Sequence, residues 1–357
     1  MSPVAGLVRL RKHQFGRQQV IGTKVAATRA YPHSGTPSVD LGWEDPEVDT
    51  GSRDPQAAPT RGASDLTASL DSPTLTYNDL TKLLSGFFGG QVDPTGGGTA
   101  KTWDHQPAST TIDDLDPFTY EFGGTDVLTD WYQFGDGIIE SFEITGPEGL
   151  GALSSSESWR FGSFTSTGST DFPVSGTVPT AGLSVSTTDV PIYLKDGGIY
   201  IASSTAGLAA GQVTGALHTF TLRGSQEIDL KRFADATQSF DVSDYSPGAR
   251  TLELEATWAK TADIVGTGSE SDAWMSDTAV NRYIRLTFTS TAMAEGATPY
   301  SWTFDMPARY YTREEGDINQ NATVVLTARA FFDGTNEVFD SALVNTLTAA
   351  QLGGAGS

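Results

Sequence analysis

The chain repeats a short pattern at two distant places, and the surroundings of the two copies match as well. Gly62 and Ala63 open an alternation of apolar and polar residues that runs to Leu70, and Gly248 and Ala249, 186 positions later, open another that runs to Trp258. Each copy is followed by a helix-like segment and then by strands rich in aromatic residues. Internal repetition decides the architecture of a chain. The repeat predicts a β-rich domain that occurs twice in the chain. Two similar domains present two similar surfaces, which favours a structural protein that assembles through repeated copies of one contact.

Composition and pattern divide the 357 residues into five segments, enough for two domains of ordinary size. Pro, Gly, Asp and Ser are dense in 32–62, which predicts a long loop. The predicted order is a basic N-terminal arm at 1–24, a first β-sandwich domain at 25–166, a Ser/Thr/Gly linker at 167–189, a second β-sandwich domain at 190–345 and a flexible C-terminal tail at 346–357.

The clearest helix lies in the first domain. Leu80, Leu83, Leu84 and Phe87 follow the spacing of one helical face, and we expect them to pack against the first sandwich. Thr76 can cap the start, and Gly89 can end the helix in the left-handed region. A second helix is predicted near 271–280. Strands are predicted at 25–31, 65–70, 118–122, 130–134, 137–145, 154–161, 216–223, 251–259, 282–289 and 322–332, with a hairpin at 191–202.

The charge is strongly unbalanced, with 22 basic and 44 acidic side chains and a net charge of −22. A body this acidic repels nucleic acid. The six basic residues that precede the first acidic residue, Asp40, are Arg9, Arg11, Lys12, Arg17, Lys24 and Arg29. Cysteine is absent, which excludes disulfides and thiolate metal sites. We expect neither a secretion signal nor a membrane helix.

No motif points to catalysis, a metal or a cofactor, and we expect a protein that is not an enzyme. The four histidines, His13, His33, His105 and His218, lack zinc-ligand spacing. The glycine-rich segment 96–102 lacks the Gly before its Lys that a phosphate loop needs. The acidic groups at 113–116 and 333–340 lack the Gly and Glu of a calcium loop, so both are interpreted as solvated loops.

The aromatic residues of the strands have two interpretations. Trp131, Trp159, Phe161, Trp302 and Phe304 could form a platform on which sugars stack, or the core of a β-sandwich. Side chains of this kind on alternating strand positions are more often core, and we favour the core.

The order of these elements resembles the major tail proteins, or tail tube proteins, of long-tailed, siphovirus-type bacteriophages, in the variety with two tandem tube domains. The resemblance covers about residues 20 to 345 and rests on the complete order of elements occurring twice. The passages that show it are the loop with Arg53 and Asp54, the strand and helix at 66–90, FTYEFGG at 118–124, the strand pair at 130–163, and the second-half stretches 239–258 and 300–318.

The resemblance implies a fold and a role. The fold is mainly β, with two tandem tube-type β-sandwich domains, each with a flanking α-helix, whose inner sheets join a ring-shaped β-barrel. Rings stack into a hollow tube through which viral DNA passes, and an acidic lumen keeps the DNA from adhering. Terminal arms and long loops hold the next ring, which makes Arg9, Arg11, Lys12, Arg17, Arg53 and Asp54 candidate inter-ring contacts.

The same resemblance implies the partners and the location. The chain would contact itself, with three chains in a ring of pseudo-six-fold symmetry. It would also contact the tape measure protein and the tail terminator or tail tip proteins. Viral DNA would pass without specific binding, and no membrane is involved. The protein would be assembled in the host cytoplasm and reside in the virion tail.

Two other classes stay open at the level of sequence. One is a β-sandwich virion decoration or carbohydrate-binding protein that uses its aromatic residues. The other is a glycosidase with paired carboxylates, since a suitable pair would occur by chance among 44 acidic residues.

Overall fold

The computed structural model describes residues 11–18, 20–40, 42–44, 60–61, 64–89, 94–106, 117–124, 131–166, 183–214, 217–231, 244–261, 264, 281–318 and 321–352. Within these residues the fold is mainly β, as predicted, and is dominated by long antiparallel strands.

The strands up to residue 166 are β1 (Arg11–Arg17), β2 (Arg29–Tyr31), β3 (Ser34–Asp40), β4 (Trp43–Glu44), β5 (Thr60–Arg61), β6 (Asp65–Ser72), β7 (Lys101–His105), β8 (Phe118–Gly124), β9 (Trp131–Gly146), β10 (Ser154–Phe161) and β11 (Ser163–Ser166). The later strands are β12 (Gly197–Ala202), β13 (Gln212–Val213), β14 (Leu217–Lys231), β15 (Asp244–Ala259), β16 (Arg282–Glu295), β17 (Thr298–Ile318), β18 (Asn321–Ala330) and β19 (Asp340–Asn345). The helices are α1 (Tyr77–Phe88) and α2 (Ala349–Leu352), with 3₁₀ turns at Leu194–Asp196 and Thr205–Ala210.

Eight strands form one continuous open layer in the order β3–β6–β10–β9–β14–β15–β18–β17. Apart from the bulges, most side chains of this layer alternate between its two faces, because successive residues of a strand point to opposite faces. In β6, for example, Leu66, Ala68 and Leu70 are buried, whereas Asp65 and Asp71 are exposed. One face of the layer therefore covers the core and the other is polar.

A second layer packs over the apolar face. Its first part has the order β2–β1–β8–β9–β11, and its second part joins β13–β12–β16–β17 to β19 and β7. The strands β9 and β17 are long enough to serve both layers. The bend in β9 lies at Asp136, whose φ of 58° is left-handed. Its carboxylate accepts hydrogen bonds from the N–H of Gly22 and the side chain of Gln18, which hold the bend in place.

The two halves of the eight-stranded layer have the same topology. The four strands of each half lie in the sheet in the same sequence: first, second, fourth, third. The spatial order is β3–β6–β10–β9 in the first half and β14–β15–β18–β17 in the second. The β9–β10 ladder shifts register between Ser158 and Trp159, and the β17–β18 ladder shifts between Tyr310 and Thr312. These bulges leave Glu140 and Tyr311 unpaired at corresponding places, so the repeat seen in the sequence extends to the details of the strand pairing.

Helix α1 has the predicted ends. The side chain of Thr76 accepts a hydrogen bond from the N–H of Asp79, and Gly89 follows the helix with a φ of 66°. All twelve residues of the helix are buried, including Asp79 and Lys82, because it lies inside the molecule instead of on an edge. Burial of a complete helix is unusual for a sequence with a polar face, and it follows from contacts on several sides.

Those contacts join the two halves. Helix α1 packs against β9 of the first half and against β19 and β17 of the second. The amide of Asn345 donates to the carbonyl of Tyr77 and to the hydroxyl of Thr81, and strand β7 pairs with β19. Most of the described buried apolar residues belong to one cluster that contains residues of both halves. The predicted division into domains at 25–166 and 190–345 stays a prediction.

Several segments differ from the sequence-based expectation. Residues 11–17, predicted within a flexible arm, form β1, because the backbone groups of this stretch pair with β2 and β8. Residues 34–40, predicted within the loop 32–62, form β3 by pairing with β6. Strands β7 and β19 lie where no strand was predicted. The predicted hairpin at 191–202 is wrong, since β12 pairs with β13 and β16.

The segments at either end of the second half also differ. Within the predicted linker 167–189, Leu183 and Asp189 are bound to the first half, Asp189 through an ion pair with Arg29. Within the predicted tail 346–357, α2 packs on β1, and Leu347 and Leu352 are buried. The helix predicted near 271–280 lies outside the described residues.

Candidate functional site

The feature with the clearest functional content is the outward surface of the eight-stranded layer, called here the polar face. Along each strand its residues alternate with the buried ones, and they are mainly Ser, Thr and acidic residues. In β10, for example, Ser154, Ser156 and Ser158 point outward, while Trp159 and Phe161 point into the core. Short hydroxyl side chains leave the face smooth and hydrated.

Charged side chains on the polar face are mostly acidic. The carboxylates of its described part include Asp40, Asp65, Asp71, Glu140, Glu143, Glu227, Asp229, Glu253, Glu255 and Glu314, and its cations include Arg160, Arg223, Lys231, Arg309 and Arg329. The face therefore has an excess of negative charge, which disfavours contact with a polyanion.

Three of these arginines, Arg160, Arg223 and Arg329, are each bound to a carboxylate of a neighbouring strand. Arg223 of β14 lies between Glu143 of β9, with an N–O distance of 2.9 Å, and Glu255 of β15, at 3.0 Å. The side chains of these three residues are about two-fifths exposed, so the pairs add little to stability. Their main effect is on the electrostatic potential of the face. Two adjacent carboxylates offset the positive charge of the guanidinium, so it attracts a phosphate only weakly.

Arg160 and Arg329 occupy corresponding positions in the repeat. Arg160 binds Glu140 at 2.7 Å, and burial raises the pKa of the Glu140 carboxyl against the opposing effect of Arg160. Arg329 binds Glu253 at 2.6 Å and lies 4.7 Å from the ring centroid of Tyr311. In both halves the residue at the bulge, Glu140 or Tyr311, contacts the arginine of the adjacent strand.

The centre of the polar face is a shallow groove of about 550 Å³. It lies where β6, β10, β9 and β14 carry their smallest side chains, among them Ser69, Ser156, Ser225 and Gly224. The groove is open to solvent and has no convergent set of donors that would hold one ligand.

A second group of charged residues is buried inside the first half. The ammonium of Lys82 lies 2.5 Å from a carboxylate oxygen of Glu157 and 2.7 Å from Nε2 of His33. The ring of Phe15 lies 4.6 Å from this ammonium, and the indole N–H of Trp159 donates to the same carboxylate oxygen at 2.9 Å. Burial lowers the pKa of Lys82 and, with the nearby ammonium, lowers that of His33.

This buried cluster is closed to a substrate. The side chains of Lys82 and Glu157 are both 0% exposed. The cluster also contains Asp79, whose pKa burial raises to about 7, and His13, whose pKa burial lowers to about 4. Its chemistry is that of a structural ion pair that joins α1 to β10. Among the described residues, no group of three acidic or histidine side chains is arranged to hold a metal ion.

The predicted inter-ring contacts fall in different environments. Arg17 is buried in β1, so its side chain is not presented to a neighbouring chain as the arm hypothesis requires. Lys12 donates to the carbonyl of Leu183 at 2.8 Å, and Arg11 lies over the ring of Phe122. Arg9, Arg53 and Asp54 lie outside the described residues.

The other predicted residues have clear places. Leu80, Leu83, Leu84 and Phe87 are each 0% exposed. Trp159, Phe161, Trp302 and Phe304 are buried core residues, so they offer no platform for sugars. The side chain of Trp131 and the acidic group 113–116 lie outside the described residues. Asp333 accepts hydrogen bonds from the N–H groups of Thr335 and Asn336, as in a solvated turn.

The sequence reasoning did not single out the polar face. In the sequence, this face corresponds to Ser, Thr and acidic residues that alternate with apolar ones. That alternation predicts strands, but it does not show which strands are neighbours in the sheet. The pairing of Arg223 with Glu143 joins residues 80 positions apart and depends on the contact of β9 with β14.

No protein-family profile matches the chain, and no curated protein matches it. A search of solved structures finds the tail tube of SPP1, determined by solid-state NMR and cryo-electron microscopy. The match has 16% sequence identity and a TM-score of 0.26, and it covers 43% of this chain and 79% of the SPP1 chain. A TM-score this low does not establish a common fold. None of the described helices has the length and apolar character needed to cross a membrane.

Proposed function

We propose that the protein is a structural virion protein that forms stacked rings, and that these rings make the hollow tail tube through which viral DNA passes. The observation on which this rests is the eight-stranded layer. One of its faces is buried, the other is polar and acidic with most of its cations paired, and in the part of the chain that the structure describes the layer remains open at β3 and β17. The order of elements that resembles tail tube proteins agrees with this role.

The geometry of the layer fits a ring. An open sheet edge exposes unpaired backbone groups, and closure into a barrel removes such edges. Three chains would supply 24 strands, about 115 Å around at roughly 4.8 Å per strand. Barrels of about 16–18 strands already enclose a water-filled channel, so this ring would be wider. With the polar face inward, the repeated halves give pseudo-six-fold symmetry.

The acidic polar face then has a function in the lumen. DNA is held by proteins chiefly through cations placed on its phosphates. A lumen whose cations are mostly bound to carboxylates already would let DNA slide without specific binding. In this proposal the partners are further copies of the chain, the tape measure and the tail terminator or tail tip proteins, with assembly in the host cytoplasm and residence in the virion tail.

Electron microscopy of the purified protein tests assembly. We expect rings or tubes with a central channel, and a mass of three chains per ring by native mass spectrometry. A protein that stays monomeric at high concentration, together with tails from the source virus that do not contain this chain, would contradict the proposal. Six chains per ring would contradict the pseudo-six-fold arrangement alone.

Charge substitutions test which face lines the channel. Ser69→Lys and Ser156→Lys add two cations to the polar face, where these residues are exposed. We expect tubes of this variant to retain DNA in a salt-sensitive way, while wild-type tubes release it. Ser203→Lys with Ser204→Lys, in an exposed turn after β12 and outside the polar face, is the matched control, and we expect it to leave DNA retention unchanged. Equal retention by both variants would mean that the polar face is not the lumen.

A further inference from the structure

The contact between the two halves of the chain provides a template for a contact between chains. Inside the chain, β9 of the first half pairs with β14 of the second. In the repeat, β9 corresponds to β17, and β14 corresponds to β3. Among the described residues, these two counterparts, β17 (in its part after Tyr310) and β3, are the free edges at opposite ends of the eight-stranded layer.

The correspondence can be fixed residue by residue. Leu222 and Pro37 are equivalent because Leu222 pairs with Leu254 and Pro37 with Ala68, and Leu254 and Ala68 hold the same place in the repeated strand. Matching of the two bulges makes Ile144 equivalent to Glu315. Since Leu222 pairs with Ile144 inside the chain, Pro37 is placed opposite Glu315 of a neighbouring chain.

We infer that β3 of one chain pairs antiparallel with residues 312–318 of β17 in a second copy of this chain, in the register of the internal β9–β14 junction. In this register Ser38 lies opposite Glu314 and Thr36 opposite Gly316 on the polar face. The inference rests on the proposed function, and it defines the partner and the register of the contact that closes the ring.

The state of β3 in a single chain supports the need for a partner. Phe220, Leu222 and Gly224 of β14 are buried, whereas their counterparts in β3 are exposed or half-buried. Val39, the counterpart of Gly224, is 39% exposed. In the inferred register Arg313 lies opposite Val39, and the aliphatic stem of an arginine can cover an apolar side chain.

The internal junction also shows what the contact between chains lacks. Phe220 and Phe142 each face a glycine of the opposite strand, and Arg223 is bound to Glu143 across the junction. At the free edges the equivalent positions carry no aromatic residue and no such ion pair. Pro37 has no N–H and so supplies one donor fewer. The inferred contact is therefore weaker than the internal one, which suits a chain that is made first and assembled later.

Cysteine cross-linking tests the register, since the natural chain contains no cysteine. The variant Ser38→Cys/Glu314→Cys places two thiols opposite each other in the inferred contact. Within one chain these strands are seven strand spacings apart, about 34 Å along the sheet. A disulfide between them must therefore join two chains. The matched control, Thr36→Cys/Thr312→Cys, uses the same strands and face but is out of register by four residues.

We expect mild oxidation of assembled protein to convert most of the first variant into covalent dimers and trimers, with cross-linking of the control at least tenfold lower. Equal cross-linking of both variants would overturn the register. Rings seen by microscopy without cross-links in either variant would overturn the edge contact, while the tube function would stand. A strictly monomeric wild-type protein would overturn the tube function and this inference together.

Discussion

The buried pair of Lys82 and Glu157 offers the sharpest test of how the first half is held together. Their charged atoms are 2.5 Å apart, and both side chains are fully buried. Because the carboxylate charge is shared by two oxygens, the centres of the two charges are about 3–4 Å apart. At an effective dielectric constant near 20, such charges attract by about 4–6 kcal/mol. Removal of one partner leaves a buried charge without compensation, which costs about 3–5 kcal/mol.

We expect Lys82→Met and Glu157→Gln each to lower the free energy of unfolding by about 3–5 kcal/mol. The methionine keeps an apolar stem against Phe15, and the glutamine keeps an acceptor for the indole N–H of Trp159. The double variant has no unpaired charge, so we expect it to lose no more than either single variant. The coupling energy is then at least about 3 kcal/mol.

Urea unfolding followed by tryptophan fluorescence measures all four proteins, because Trp159 touches the pair. The matched control is Arg329→Met with Glu253→Gln, an ion pair of 2.6 Å whose arginine side chain is 56% exposed. There we expect each change to cost about 0–1 kcal/mol. Costs of Lys82→Met and Glu157→Gln that add within about 0.5 kcal/mol in the double variant would refute the reasoning.

Three further outcomes follow from the core. Leu83→Ala should lower the free energy of unfolding by about 2–5 kcal/mol, as large-to-small core changes do, and a loss below about 1 kcal/mol would mean that the site relaxes freely. Gly224→Ala should cost about 1–3 kcal/mol, because a Cβ there would lie 2.2 Å from the ring of Phe142, and a stable variant with unchanged near-ultraviolet circular dichroism would contradict this close packing. Burial lowers the pKa of His105 to about 3, so the unfolded state binds a proton below about pH 6.5 that the folded state does not, and stability falls between pH 6.5 and 3. In His105→Gln the slope of unfolding free energy against pH in that window should decrease by about 1.4 kcal/mol per pH unit, and an unchanged slope would contradict the neutral buried imidazole.

Local features of the fold were readable from the sequence because their causes are local. The ends of α1 depend on the hydroxyl of Thr76 and the conformational freedom of Gly89, both within one turn of the helix. The strands β6 and β10 show alternation that reports a buried face and an exposed face wherever the neighbours lie. The repeat of Gly62 and Gly248 likewise predicted that two stretches of chain share one pattern.

Tertiary structure alone decided which segments pair and what lies buried. Strand β3 contains Gly35 and Pro37, which do not favour strands, and it exists because β6 offers it a ladder of backbone groups. The burial of Lys82 on a helix with an otherwise ordinary polar face depends on Glu157, 75 positions away, which compensates its charge. The polar face is likewise a product of strand order, since Arg223 and Glu143 become neighbours only when β14 pairs with β9. Such pairings depend on the free energy of the whole sheet, which no local stretch of sequence contains.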